Sequence, residues 1–285
     1  MKGVIIAAGY GTRFLPVTKT IPKEMLPLIN KPAIEFIIDE FIKSGIKEIL
    51  IITSRRKKAM EDYFDKEAEL ETLFKSENNL KKLDAIKAPE ADIFFKRQTE
   101  MLGTGHAIMQ AEAFIGNEPF IVAYPDDLHF GEVPLVKQLV KKYNETGCSV
   151  MSSIHNPPQL ERYGVLALAQ DGLHVTDIVE KPAKGKEPSK EASIGRYLFT
   201  PDIFKYLKEG WEKHIEAGNK GEYFHIYALK KLMDKKRVVF QTIEGERLDI
   251  GIPSGFLQAI IKYAKKDSEL LAVLKEETKD LWSRA

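Results

Sequence analysis

Four groups of residues in this sequence have types and spacings suited to handling a phosphate ester. In "AAGYGTRF" (residues 7–14), Gly9 and Gly11 let backbone N–H groups approach an anion with no Cβ in the way, and successive exposed N–H groups form an anion-binding concavity. Arg13 can clamp phosphate oxygens with a bidentate fork, and Lys23 offers a point charge that follows a phosphoryl group as it gains negative charge. In "VAYPDDL", Asp126 and Asp127 suit a hard divalent cation such as Mg2+, which is held by one or two carboxylates plus phosphate oxygens; Pro-Asp-Asp is also ordinary turn chemistry. In "RQTEMLGTGHAI", the Gln98 amide can read the polar edge of a base, and Gly103 lets a base approach the backbone. In "DIVEKP", Glu180 can accept hydrogen bonds from two neighbouring sugar hydroxyls and Lys181 can pair with a sugar phosphate; a surface ion pair before Pro182 explains the same three residues.

Other chemistries drop out. The dinucleotide fingerprint G-x-G-x-x-G fails because Phe14 stands at its third glycine, and the Walker pattern never occurs. The six histidines form no H-E-x-x-H spacing, and no G-x-S-x-G nucleophile turn exists. His106 opens a helix, where the helix dipole favours a neutral imidazole, and receives no catalytic role.

These groups need a scaffold, and the hydropathy pattern supplies one. Short β-branched runs ("GVIIAAG", "EILIIT", "DIFFKRQ", "FIVAYPDD", "CSVMSSI") alternate with helical segments at 32–44, after residue 103 and at 133–145. That alternation predicts an α/β chain, a doubly wound sheet covered by helices on both faces, with ligands at the carboxyl ends of the strands. From about residue 160 the pattern changes to two strands joined at Asp171-Gly172, further strands "SIGRYLFT" and "RVVFQTI", helices near 201–210 and 224–234, and apolar helical spacing over 254–281. The segment 55–87 interleaves acidic and basic residues and reads as a solvated helical face.

Composition narrows the class. With 43 Lys and Arg against 42 Asp and Glu, the net charge of +1 gives no global field toward nucleic acid or a membrane surface, so any anion is held by local groups. The one cysteine, Cys148, reads as a small buried hydrophobe in a reducing compartment. No run approaches the roughly 20 apolar residues of a membrane span, and a cytoplasmic location is expected.

The stretch "AAGYGTRFLPVTKTIPKEMLPLINKP" resembles the opening signature of the sugar-1-phosphate nucleotidylyltransferases, most closely their bacterial UTP:glucose-1-phosphate uridylyltransferase branch. The resemblance implies a Rossmann-like nucleotidyltransferase fold with a mixed, mainly parallel sheet. It implies a nucleotide-binding half over about 1–130, a sugar-phosphate-binding half over about 131–253 and a helical segment over about 254–285. The residues it implicates are Ala8, Gly9, Gly11, Thr12 and Arg13 on the nucleotide phosphates, Lys23 on the reacting phosphoryl group, and Gln98 and Gly103 on the uracil ring. Asp126 pairs, by the same resemblance, with Asp249 of "LDIGIPSG" as Mg2+ ligands, and Gly164, Glu180, Lys181, Gly195 and Tyr197 serve glucose 1-phosphate. The implied reaction converts UTP and glucose 1-phosphate to UDP-glucose and pyrophosphate in a homodimer or homotetramer. Alternatives are the same chemistry with dTTP, or nucleotide-sugar binding without turnover. One segment departs from the family pattern G-E-x-Q-L-T-D-A: here residues 221–228 read "GEYFHIYA", which alters the expected wall of the sugar site, and Thr104 stands where Leu is common.

Overall fold

Strands buried on both faces read as continuous apolar runs, and the first strand shows why. In the computed structural model, which describes residues 1–218 and 220–279, β1 (Lys2–Ile6) lies mid-sheet with Gly3 to Ile6 all buried. The short ladder of β2 (Pro27–Leu28) and β3 (Lys31–Pro32) leads into α1 (Ala33–Lys43), whose Ile34, Ile37, Ile38 and Phe41 recur at helical spacing and are buried. Next come β4 (Glu48–Thr53), three short helices α2 (Lys58–Phe64), α3 (Ala68–Ser76) and α4 (Leu80–Ala85), and β5 (Asp92–Arg97). As expected for interleaved charge, the helices of this excursion bury only Met60.

After α5 (Thr104–Met109) and α6 (Glu112–Ile115), β6 (Phe120–Ala123) returns to the sheet beside β1, with Val4 level with Leu50 on one side and Val122 on the other. β1, β4, β5 and β6 are parallel. The second half adds β7 (Asp127–Phe130), α7 (Leu135–Thr146), β8 (Ser149–His155), the hairpin of β9 (Gly164–Leu168) and β10 (Val175–Glu180), and β11 (Glu191–Phe199). β11 runs antiparallel to β6, setting Leu198 opposite Ile121, so one nine-stranded mixed sheet passes through both halves. Then α8 (Ile203–Glu216), α9 (Ile226–Met233), β12 (Val238–Thr242) and β13 (Glu246–Asp249) follow, with β12 parallel to β8.

Each sheet face carries its own core. One packs under α5, α8 and α9 through Ile108, Phe204, Leu207 and Leu229; the other under α1, α7 and α10 (Pro253–Ala264) through Ile37, Phe41, Val136 and Ala259. The helical stretch expected over 254–281 breaks after α10: the Asp267 carboxylate caps a second helix, α11 (Ser268–Thr278), by accepting from the N–H groups of Glu269 and Leu270. Residues 280 and 281 of that expectation lie outside the described residues. Unforeseen was a separate two-stranded ribbon of β7 and β13, which sets Asp249 directly opposite Asp127. No described helix is long and apolar enough to cross a membrane.

Candidate active site

The chain leaves β1 at the carboxyl edge of the sheet, where the Ala7 N–H still donates to the Ile52 carbonyl (2.8 Å) and Ala8 is buried. It then turns through Gly9 to Gly11, which adopts φ +68°, a left-handed conformation costly for other residues. A Cβ on Gly11 would press on the Lys23 side chain at 3.2 Å, so the turn and Lys23 are packed against one another. The Thr18 hydroxyl donates to the Gly11 carbonyl (2.8 Å). Thr12, Arg13 and Phe14 form one tight helical turn, anchored on α10 by the edge of Phe14 against Phe256 (5.6 Å between centroids). Gly9 faces open space, so no protein neighbour requires a glycine there.

Lys23 forms an ion pair with Asp126 (2.5 Å). Burial works to raise the Asp126 carboxyl, but the charges of Lys23 and Arg13 outweigh it and hold the group below the usual carboxylate range. On Lys23, burial acts downward and is outweighed by Asp126 and Glu24, so the ammonium titrates above its ordinary value. Asp249 arrives on β13, and the chain folds back on itself: the Ile250 N–H donates to the Asp126 carbonyl (2.9 Å) and the Gly251 N–H to Asp249 Oδ1 (3.0 Å). A Cβ built on Gly251 would sit 3.1 Å from Asp126 Oδ2, 3.1 Å from Asp249 Oδ1 and 3.4 Å from Arg13 Nη1. Four side chains distant in sequence thus meet at one point. Among the described residues no three His, Cys, Asp or Glu gather to hold a metal. Two carboxylates converging on one point without a third among the described residues fit a cation completed by phosphate oxygens rather than by an all-protein cage.

Asp127 does a different job. Its carboxylate accepts from Arg247 Nε (2.7 Å) and from the Gly195 N–H (2.6 Å), which engages both oxygens in holding the scaffold, whereas Asp126 is paired with Lys23 through Oδ2. The register shift in β11 between Ser193 and Tyr197 brings Gly195 to this contact, where a Cβ would lie 2.8 Å from Asp127 Oδ2. Arg247 also reaches Asp249 (3.3 Å) and lies over the Tyr163 ring (5.6 Å to the centroid). Burial acts to lower its pKa, Asp127 and Asp249 outweigh that, and Arg247 stays charged.

Two clefts open on either side of the glycine turn. One, of about 720 Å³, is lined by Arg13, Arg162, Tyr163, Lys181, Arg247 and Asp249 among others, so cations outnumber carboxylates on its wall. Lys181 is held there by a left-handed backbone (φ 47°) and a hydrogen bond from its N–H to the Tyr163 carbonyl (2.9 Å). Glu180 pairs across the hairpin with Gly164, where a Cβ would lie 2.7 Å from Glu180 Oε1. The other cleft, of about 600 Å³, is lined by Tyr10, Ser54, Arg55, Gln98 and Met101 among others. Gly103 lies beside Gln98, but its missing Cβ has a second reason: the Tyr223 carbonyl would be 2.5 Å away, and φ is +92°. Tyr197, expected to line the sugar pocket, is buried instead. Its ring stacks on Phe199 (5.2 Å), and burial pushes its hydroxyl up to about 12, so it supports the floor of the site.

Residues 2–266 match the model of the family described as Nucleotidyl transferase. The chain belongs to this family. The nucleotidyl transferase is 42% identical to a protein named UTP--glucose-1-phosphate uridylyltransferase from Staphylococcus epidermidis over 98% of both chains. It is also 42% identical to the protein of that name from Bacillus subtilis, over 94% of this chain and 92% of that one. Among solved structures it is similar to a UDP-glucose pyrophosphorylase from Acinetobacter baumannii (TM-score 0.87, 30% identity, 98% and 99% of the two chains). A UDP-glucose pyrophosphorylase complexed with UDP-glucose matches with TM-score 0.78 and 37% identity, over 93% of this chain and 99% of that one.

Several residues that shape the transferase site escaped the sequence analysis. Lys57 donates to both oxygens of Glu24 (2.7 Å each), and both side chains are almost fully buried directly behind Lys23. Nothing in "SRRKK" distinguishes the one lysine that turns inward. Arg196, fully buried beside Gly195, bonds Glu40 of α1 through Nε (3.3 Å) and Nη2 (3.1 Å) and also donates to the Asp127 carbonyl (3.2 Å). Arg247 did carry a signal, since it sits two residues before Asp249 on the same face of a strand. The departing segment covers the 102–105 loop: the Tyr223 N–H donates to the Leu102 carbonyl (2.7 Å), and the Tyr223 carbonyl accepts from Gly105 (2.9 Å). Both departures meet there, Thr104 Oγ1 lying 3.1 Å from His225 Nδ1.

Proposed function

We propose that the protein catalyses UTP + glucose 1-phosphate → UDP-glucose + pyrophosphate. The observation that carries this reading is the meeting of Arg13, Lys23, Asp126 and Asp249 around Gly251, at the head of a cation-lined cleft that also holds Lys181. The uridylyl donor and the glucose acceptor are supported by the names of relatives that match nearly end to end.

In the reaction an oxygen of the sugar phosphate attacks the α-phosphorus of UTP in line, and the bond to the β-phosphate oxygen breaks as pyrophosphate leaves opposite. No protein nucleophile is needed, so the residues act by placement and charge. Backbone groups of Ala8, Gly9, Gly11 and Thr12 cradle the triphosphate, with Gln98 and Gly103 at the uracil. Arg13 stabilises the departing pyrophosphate. Lys23, at present paired with Asp126, neutralises charge on the α-phosphoryl group. Lys181 orients the attacking phosphate, while Glu180 accepts from sugar hydroxyls and Gly164 and Gly195 leave room for the ring. Asp126 and Asp249 would hold Mg2+, which when bound supplies charge neutralisation to the phosphate oxygens of both reactants.

The test is pyrophosphate release from UTP, glucose 1-phosphate and Mg2+, with dTTP as competitor nucleotide. Release that prefers UTP in kcat/KM is the expected result. Tight UDP-glucose binding with no release would refute catalysis, and a dTTP preference would refute the donor.

A further inference from the structure

The Gln98 side chain is almost fully buried, yet it borders the cleft that contains Tyr10 and Met101. Its Nε2 lies 3.2 Å from the Gly103 carbonyl and 3.0 Å from His106 Nδ1. A carbonyl can only accept, so the amide group turned inward is the NH2, and both of its hydrogens are used. His106 Nδ1 must then accept, which puts the ring proton on Nε2 and makes the imidazole neutral. Among the described residues Gln98 Oε1 has no hydrogen-bond partner, nor is it a buried orphan atom, which leaves the oxygen as the edge offered to the cleft.

We propose that His106 is a positioning residue for base selection: by accepting from Gln98 it fixes the amide with its oxygen, not its nitrogen, toward the nucleobase. The inference rests on the reading that Gln98 meets the base. An oxygen at that edge accepts from the N3–H of uracil, whereas cytosine N3 carries no hydrogen and meets the oxygen lone pair to lone pair. An inverted amide would offer donors and reverse the preference. His106 keeps its acceptor lone pair through neutrality because burial lowers its pKa, with Glu100 the charged group that opposes this. The other groups against it are uncharged: the Gln110 amide on its own helix, whose nitrogen lies 3.4 Å from Nε2, beyond the usual hydrogen-bond range and so without claim on an acceptor there, and the Trp211 ring of α8 (5.1 Å between centroids).

The experiment measures kcat/KM for UTP and for CTP in the wild type, His106→Leu and Gln98→Ala. Loss of one neutral hydrogen bond is expected to raise the CTP-to-UTP ratio of His106→Leu by roughly three- to tenfold, through the KM for UTP with kcat nearly unchanged. Protonation makes His106 a donor, so the wild-type ratio should drift the same way as pH falls through the lowered pKa of the ring, while that of Gln98→Ala stays flat. A wild-type ratio in His106→Leu, with a raised ratio in Gln98→Ala, overturns the role of His106 and leaves the base reading standing. An unchanged ratio in Gln98→Ala overturns both. Should His106→Leu not fold, a wild-type ratio that stays flat while the ring resonances of His106 show it taking up its proton overturns the proposal by itself.

Discussion

Gly251→Ala tests the centre of the site with one methyl group. The backbone of Gly251 lies outside the left-handed region, so alanine carries no conformational penalty there. The new Cβ would stand 3.1 Å from Asp126 Oδ2 and from Asp249 Oδ1, a few tenths of an ångström inside comfortable contact, and 3.4 Å from Arg13 Nη1. Both oxygens end flexible side chains and can retreat, so the fold should lose no more than about 1 kcal/mol. Mg2+ tolerates such a retreat poorly, since it demands near-octahedral ligands at about 2.0–2.1 Å. Displacing both carboxylates at once should move the Mg2+ dependence of pyrophosphate release to at least about tenfold higher concentration. Misplacing the reacting groups should lower kcat by about a hundredfold. Thermal unfolding in metal-free buffer supplies the control. A folded variant with the wild-type kcat and Mg2+ dependence would refute the idea that these two aspartates converge on the reacting phosphates.

Four further outcomes are expected. Lys23→Ala should lower kcat by about a hundredfold or more while changing the KM for glucose 1-phosphate little, and an unchanged kcat would reduce the residue to a binding contact. Gly9→Ala should leave stability within about 0.5 kcal/mol, because its Cβ meets no protein atom, yet raise the KM for UTP; an unaltered KM would mean that no ligand approaches there. Lys57→Met strands the buried Glu24 carboxylate and should cost about 3 kcal/mol or more in urea unfolding, partly recovered by adding Glu24→Gln; a cost under about 1 kcal/mol would contradict a charged carboxylate buried against Lys57. The Asp126 carboxyl is depressed in the folded state, so its contribution is present above about pH 4 and fades as pH falls through the lowered value. The difference in urea midpoint between wild type and Asp126→Asn should therefore hold steady near neutrality and shrink in acid, whereas a difference of constant size would contradict the ion pair.

Local physics made most of the scaffold legible. Val4 to Ile6 and Ile49 to Ile52 are apolar without interruption because parallel strands are covered on both faces, and Asp171-Gly172 marked the hairpin because Gly172 takes φ +66°. The β7–β13 ribbon was hidden for the opposite reason. Strands of four residues give too short a pattern, and their partnership is fixed by tertiary contacts between distant segments. At the site, Arg13, Lys23 and Asp126 stood out as charge beside glycine and turn residues, whereas Lys57, Glu40 and Arg196 looked like any surface charge. Burial of an ion pair depends on what arrives from elsewhere in the chain. Residue chemistry alone left Asp126 and Asp127 equivalent, and only the family resemblance singled out Asp126, since Arg247 and Gly195 decide which oxygens are engaged.

The order of strands also sets a timetable for synthesis. β6 finds one neighbour, β1, among residues already made, but its other edge waits for β11, which ends at Phe199. Until then a buried, wholly apolar strand presents an open row of N–H and C=O groups, the kind of edge that recruits other chains. Glu40 waits likewise for Arg196, as Asp126 waits for Asp249. A nascent chain of this protein released near residue 190 would hold its glycine turn and most of the core under α1 and α7 while remaining sticky at the middle of the sheet. The last third of the polypeptide therefore protects the first as well as completing its chemistry, which makes premature termination more hazardous here than in a sheet built strictly from one edge to the other.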